Sequence, residues 1–565
     1  MQPRSIYNKK RPRESLNQNH KASASTSVSY TGEQSHRHAC RRAAVVNNNS
    51  RVRTITQQPS AENIEQNFVL PPEYMDIDDC TNVCEFCGAL FWFDERVMSV
   101  PLGRRPIYST CCKRGSVVID FPVDPPDAIR SLFQENHFMN NIRAYNSMFS
   151  MTSFGAKVDE SINQGNGPYV FKITGQISHW IGSICPPPGE RPRFLQMYVF
   201  DSENEVSNHL NCFGNSSRQQ LLPAVVSTLA STLSQSNEYV RLFKSAKDFC
   251  STANIPDFVV RLHDYHRLKN YGLPAPGTLG AIVCDDGSTF EEFDIVVRTK
   301  DDRPHKVSKL HPAYMPLQYP LLFSHAEQGW SPVLRLANTS ERCNRSLTMN
   351  MFYKFQIHER AGRYTHLLRA GRLFQQYLVD CYVSIEHGRL DYFRNNQNNL
   401  RSEFLQGLYD ALSAGDVEGR HVGKRVILPS SFTGGPRYMY QHYQDALAIC
   451  KVHNNPQYFI TFTCNVKWPD ISREVSRNGA TPQDRADIIA RVFQLKVESF
   501  VKYLKESQPF GPVTGEVYTI EFQKRGLPHC HILLWVSSEY VIRDATSLDN
   551  YISAELPNQV TDPVL

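Results

Sequence analysis

Two stretches of this sequence hold residue types at spacings that can do chemistry. In EFQKRGLPHCHILLW, residues 521–535, His529 and His531 stand one residue apart at the start of an apolar run. In CTNVCEFCGALFWF, from Cys80, a CxxC formed by Cys84 and Cys87 precedes a glycine, and the adjacent pair Cys111 and Cys112 follows downstream. Residues two apart on a β-strand share a face, so the two imidazoles project side by side and can bind one divalent ion. Glu521 and Gln523 share a face of the preceding strand, and a hairpin through Gly526 brings one of them alongside as a third, oxygen ligand. Two imidazoles and one oxygen leave open positions on a Mg2+ or Mn2+ ion, where a scissile phosphate would be polarised. A bare HxH also occurs on solvated strands, so the spacing by itself does not decide.

A CxxC followed by Gly turns backbone amides toward two thiolates, and a second cysteine pair completes a tetrahedral Zn2+ site. Cys80, Cys84, Cys87, Cys111 and Cys112 fall close together, whereas the other cysteines of the fifteen are scattered singly. That clustering favours zinc held by four of the five over buried free thiols, and leaves open which four. A segment this short gains its core from the metal.

The elements that must position the histidines can be read from periodicity. QYFITFTC, residues 457–464, alternates as a strand, and NVKWPD ends it. TPQDRADIIARVFQLKVESFVKYLKES offers Thr481 as an N-cap, proline in the first turn and an apolar stripe from Ile488 to Leu504, which predicts an amphipathic helix. EVYTIEFQ, KRGLP and HCHILLW then read as strand, turn and strand. The order β-α-β-β is the front part of a ferredoxin-like βαββαβ sandwich. Upstream, residues 350–414 carry helical spacing with Arg and Lys opposite the apolar side, followed by the Gly434-Gly435-Pro436-Arg437 loop and another helix. Residues 126–290 read as mixed α/β: YVFKITGQISHWIGSI as strand, LQMYVFDSENEVSNHL from Leu195 as a strand running into a turn, and VRLFKSAKDF as helix. His179, His263 and His266 lack a partner at ligand spacing and read as structural.

The expected fold class is α+β and multi-domain. Its segments are a disordered basic tail (1–67), a zinc-ribbon-like segment (68–125), an α/β connecting region (126–345), a basic helical region (346–455) and an incomplete βαββ domain (456–565). The formal net charge of +5 resides in the tail, where residues 1–53 hold eleven Lys/Arg against Glu14 and Glu33; the remainder is slightly acidic. Any DNA site in the body therefore depends on local patches. KKRPR, Lys9 to Arg13, fits a nuclear-import signal as well as a solvated basic tail, and a nuclear location is expected. No apolar run approaches the ~18 residues of a membrane helix, and no signal-peptide core opens the chain.

HPAYMPLQYPLLF, GRLFQQYLVD, LPSSFTGGPRYM, FITFTCNVKWPDI and EFQKRGLPHCHILLW resemble the N-terminal region of Helitron transposases, the rolling-circle Rep/helicase proteins. The resemblance implies that FITFTCNVKWPDI is the first replication-initiator motif and PHCHILLW the HUH motif. His529 and His531 would then be metal ligands, with Glu521 or Gln523 the third, and the partner would be single-stranded DNA. The cysteine cluster resembles the zinc-finger-like segment that such proteins carry upstream. Family members cut one strand by attack of a tyrosine on a helix after the HUH strand. Here Tyr540 and Tyr551 follow that strand without a paired-tyrosine motif, so no catalytic nucleophile is expected and cleavage is expected to be absent or weak. GRHVGKR, from Gly419, lacks the spacing and Ser/Thr of a phosphate-binding loop, so no ATP site is expected. The rival expectations are a non-catalytic DNA-binding or regulatory module and a decayed transposon product.

Overall fold

Residues 76–98 form a finger that opens the described part of the chain. The computed structural model describes residues 76–552 except 99–104, 165–168, 188, 200–204, 212–220, 254–257, 265, 267–279, 285–293, 299–302, 338–344, 398–425, 478, 524–525 and 550. The expected disordered tail, the KKRPR stretch, the GRHVGKR stretch and the end of the 350–414 helical run lie outside the described residues. The fold is mixed α+β. No helix among the described residues is long and apolar enough to cross a membrane.

The finger carries a two-residue hairpin, β1 (Asn82–Val83) against β2 (Leu90–Phe91). β3 (Ser153–Val158) and β4 (Ile173–Ile181) pair antiparallel, and β8 (His305–Lys306) adds to β4. A second sheet runs β6 (Gly280–Cys284), β5 (Phe258–Leu262), β7 (Ile295–Arg298). Around them pack α1 (Asn136–Phe149) and α2 (Gly371–Asn395). α1 buries Phe138, Ile142, Tyr145 and Phe149, one stripe at helical spacing. One hydrophobic core runs continuously from Cys84 and Phe91 through α1 to Tyr377 and Cys381 of α2.

The C-terminal sheet contains β9 (Tyr458–Thr463), β10 (Val513–Phe522) and β11 (Pro528–Val536) in the order β10-β11-β9, with β11 antiparallel to both neighbours. β9 and β10 are thus parallel, joined by α4 (Pro469–Ser476) and α5 (Ala486–Glu506), and β11 is inserted between them. This is a split βαβ unit. α3 (Pro436–His453) leads into β9. Cys530 and Ile532 of β11 are fully buried against the α5 stripe of Ile488, Val492, Phe493, Val497 and Leu504, which forms a second core. Ile77, Cys80 and Trp92 of the finger belong to that second core, while Cys84 and Phe91 belong to the first, so the finger bridges both.

Four details differ from the sequence expectation. Gln196–Val199 is helical, with Met197, Tyr198 and Val199 buried, followed by a helix at Glu205–Asn211. A short apolar run cannot by itself separate a strand from a buried helical turn. The 350–414 run is broken: helices at Met349–Gln356 and α2 flank an irregular segment where Arg360 bridges Ala89 of the finger. Thr481 caps a 3-10 turn, Pro482–Asp484, through Asp484, and α5 begins one turn later at Ala486. Finally, NVKWPD does not simply end a strand, because Pro469 opens α4; proline at the first helical position has no amide to lose.

Candidate metal centres

The alternation of β11 sends Cys530, Ile532 and Leu534 into the core and turns His529 and His531 to the opposite face. Register then decides their neighbours. His529 lies opposite Thr463 on β9 and Glu521 on β10; His531 lies opposite Thr461 and Thr519. His529 Nδ1 is 2.9 Å from Thr463 Oγ1, and His531 Nδ1 is 3.1 Å from Thr461 Oγ1. The other nitrogen of each ring is left for something else. His529 Nε2 is buried with no hydrogen-bond partner. His531 Nε2 lies 3.7 Å from Glu521 Oε2. The exposed ring of Phe459 stacks on His531 with centroids 5.4 Å apart and planes 15° apart. Gln523 sits one step beyond β10, at a turn where its amide donates to the Leu527 carbonyl and Gly526 donates back to the Gln523 carbonyl. Of the two expected oxygen ligands, Glu521 is thus the one whose side chain reaches a histidine.

His529, His531 and Glu521 share one sheet face and are residue types that suit a hard divalent ion, although among the described residues only Cys84, Cys87, Cys111 and Cys112 bring three or more ligand atoms within 4.8 Å of one another. The orphaned Nε2 of His529 fits such an occupant, because a buried polar atom without a partner is unfavourable unless something binds it. Residues 352–534, which span α2, α3, α4, α5 and nearly all of the β9–β11 sheet, match the family described as "Helitron helicase-like domain at N-terminus". That stretch is a Helitron helicase-like domain. No curated protein matches the chain. Both histidines, Glu521 and both threonines fall inside the Helitron match, and the cysteine cluster falls before it.

Ahead of the Helitron-like stretch Cys84, Cys87, Cys111 and Cys112 converge, with ligand atoms all within 4.8 Å of one another. Cys84 and Cys112 Sγ lie 3.7 Å apart. Zn–S bonds of about 2.3 Å put the sulfurs of a tetrahedron roughly 3.8 Å apart. A disulfide would need about 2.05 Å, and all four are free thiols. The donor set therefore fits a metal such as zinc. Gly88 at φ 73° closes the first knuckle, its amide donating to the Cys84 carbonyl. The second closes through the Gly115 amide, 3.3 Å from Cys112 Sγ, after Lys113 and Arg114 at φ 50° and 54°. Two consecutive non-glycine residues in the left-handed region store roughly 1 kcal/mol or more each, strain that persists because it brings the cysteine pair to the knuckle.

Hydrogen bonding from Cys111 holds the Cys87 thiol down to about 7 and the Cys84 thiol lower still, while Cys111 is itself pushed up by Cys112 and Cys84. Buried Arg360 is held in place by the carbonyls of His358 and Phe355 and by the Phe355 ring beneath it. Its guanidinium faces Cys87, Cys111 and Cys112, so it offsets the net negative charge of four thiolates around a dication.

Cys80 is placed elsewhere. Its amide donates to Glu474, its Sγ lies 3.9 Å from the Arg491 guanidinium, and burial pushes its thiol up to about 12. Around it the finger is bound to α4 and α5. Arg491 donates to both carboxylate oxygens of Glu95 at 2.8 and 2.6 Å and to the Leu90 carbonyl at 3.0 Å. Arg473 pairs with Asp76 at 2.6 Å, and the Ile77 amide donates to Asp470, which also pairs with Lys496 at 3.0 Å. The finger's partners on α4 and α5 lie some 400 positions away in the chain, and no local signal announces them. Thr461 and Thr463 lie 70 and 66 positions from their histidines, so the alternating FITFTC stretch does not announce those contacts either.

Four of the remaining singled-out residues make packing or hydrogen-bonding contacts within the fold. His179 is fully buried between Asp380, at 2.7 Å, and the Tyr314 carbonyl. His266 bonds the Gly329 carbonyl. Tyr540 covers Gly511, and Tyr551 lies near Phe510 with rings 6.3 Å apart. Both therefore gather at the Val536 end of β11, roughly 23 Å along the strand from His529 at about 3.3 Å per residue.

Proposed function

We propose that β9–β11 with α4 and α5 is the βαββ portion of an HUH-type nuclease fold, in which His529, His531 and Glu521 hold Mg2+ or Mn2+ against single-stranded DNA. The observation that carries this reading is the buried, partnerless Nε2 of His529 beside His531 and Glu521 on the central strand of a split βαβ sheet. The bound ion would supply Lewis-acid polarisation of a phosphate. The chain's own residues orient the imidazoles and present a carboxylate, and the Phe459 ring beside His531 offers a nucleobase a face to stack on. The packing of Tyr540 over Gly511 and of Tyr551 near Phe510 supports reading the unit as a strand-holding one with nickase ancestry that does not cleave through these two tyrosines. In the same reading the four-cysteine centre holds zinc, the protein works on nuclear DNA, and no step uses ATP.

The test is a labelled single-stranded oligonucleotide with Mn2+, comparing wild type with His529→Ala plus His531→Ala. Metal-dependent binding with a steep salt dependence and no covalent adduct is expected. A protein–DNA adduct abolished by the double substitution would overturn the non-cleaving part. Equal binding by both proteins with and without Mn2+ would overturn the metal part and favour a DNA-binding module that uses other surfaces.

A further inference from the structure

We infer that Thr461 and Thr463 set the proton positions of the two histidines, turning both Nε2 lone pairs toward the metal face. The inference rests on the metal reading proposed above and concerns residues to which that reading gives no role. An imidazole can offer a metal only the nitrogen that lacks a proton, and the hydrogen bond made by its other nitrogen decides which one that is. The two threonines stand two residues apart on β9, opposite the two histidines two residues apart on β11. Each hydroxyl meets the Nδ1 of its own partner, at 2.9 Å for Thr463 with His529 and 3.1 Å for Thr461 with His531.

A threonine hydroxyl can accept or donate. Accepting from Nδ1–H frees Nε2 as a lone pair. Donating to Nδ1 would instead put the proton on Nε2, which in His529 is buried with no acceptor in reach. Accepting is therefore the arrangement that suits a ligand-ready site. Phe459, stacked on His531, fixes the tilt of the ring whose proton Thr461 fixes. Thr461 and Thr463 do not touch the ion in this account; they are positioning residues, and their loss acts through the histidines.

The full chain is compared with Thr461→Val, Thr463→Val, the double variant and the corresponding serine variants. Valine keeps the branched shape and strand preference of threonine on this solvent-facing side, and circular dichroism checks the fold. The first readout is the histidine side-chain 15N–1H correlation spectrum without metal, which reports the tautomer; the second is Mn2+ affinity by electron paramagnetic resonance. Wild type is expected to show Nδ1–H in His529, and Glu521→Ala to show it in His531, where the carboxylate 3.7 Å from Nε2 otherwise competes for the proton. The valine variants should bind Mn2+ more weakly by roughly 10- to 100-fold, with serine restoring most of the affinity. Unchanged affinity in the double valine variant, or a proton on His529 Nε2 in wild type, overturns the inference while leaving the metal reading standing. No Mn2+ uptake by wild type, although its spectrum shows Nδ1–H, overturns the metal reading and its threonine extension together.

Discussion

Replacing Arg491 by methionine removes the guanidinium that joins the finger to α5 while keeping an unbranched stem to lie over Trp92 and Phe91. Lost are two charge-assisted hydrogen bonds to Glu95 and one to the Leu90 carbonyl, and Glu95 keeps its charge in a site where its side chain is 15% exposed. Breaking one half of a buried pair costs about 3–5 kcal/mol. Arg491 retains 19% side-chain exposure, so some solvent screening remains and about 3 kcal/mol is the better figure. At about 1.4 kcal/mol per factor of ten, the opened finger becomes more than a hundredfold more populated. A chain with two cores need not unfold in one step, so a global melt is the wrong assay. Amide hydrogen exchange reads local opening directly. The amides to follow are those of Cys84, which donates to Ala89, and Leu90, which donates to Glu359, with Ile532 of β11 as internal reference. Protection at Cys84 and Leu90 should fall by about two orders of magnitude while that at Ile532 falls far less. Unchanged protection, or an additive cycle with Glu95→Gln, would refute the claim that this pair holds the finger to the sheet domain.

The other expectations are simpler to check. The chain should carry one tightly bound zinc by elemental analysis; Cys87→Ser or Cys112→Ser should lose it, and Cys80→Ser should keep it, since Cys80 sits with Arg491 and Glu474. Stripping the zinc should raise proteolytic cleavage within residues 76–98, because the closed knuckle carries Ala89 and Leu90, which bond to Arg360 and Glu359. Burial holds His358 down to about 3 and His366 to about 4, against about 6.5 in an unfolded chain. The unfolded state therefore binds the extra protons: their stabilisation is complete above pH ~6.5 and is lost as pH falls toward 4, at up to about 1.4 kcal/mol per pH unit for each histidine. Denaturation of the region between pH 7 and pH 5 measures that slope, and His366→Gln should flatten it; an unchanged slope would contradict the assignment.

What the sequence revealed and what it hid divide by distance along the chain. The alternation of FITFTC and HCHILLW, and the α5 stripe, are local signals, so the strand pair and the helix were legible before any coordinates. The CxxC-Gly knuckle was legible for the same reason. Excluding Cys80 from the zinc set needed Arg491 and Glu474, which the fold brings from about 400 residues away. Preferring Glu521 over Gln523 needed the hairpin register, and the pairing of Thr461 and Thr463 with the histidines needed the β9–β11 register. Gln196–Val199 is a helix where the sequence suggests a strand, because four apolar-rich residues carry no period. α4 was missed although Pro469 and Asp470 at its first turn are a usable start signal, one outweighed by the turn-like look of NVKWPD.

The central claim is that the outward face of β11 is a two-imidazole metal site. Pulsed electron paramagnetic resonance on Mn2+ bound to the full chain tests it most directly, because nitrogen hyperfine couplings count the imidazoles on the ion. Two histidine nitrogens are predicted for wild type, one for His529→Ala and none for His529→Ala with His531→Ala. A wild-type spectrum without nitrogen coupling, or one that the double substitution leaves intact, would contradict it.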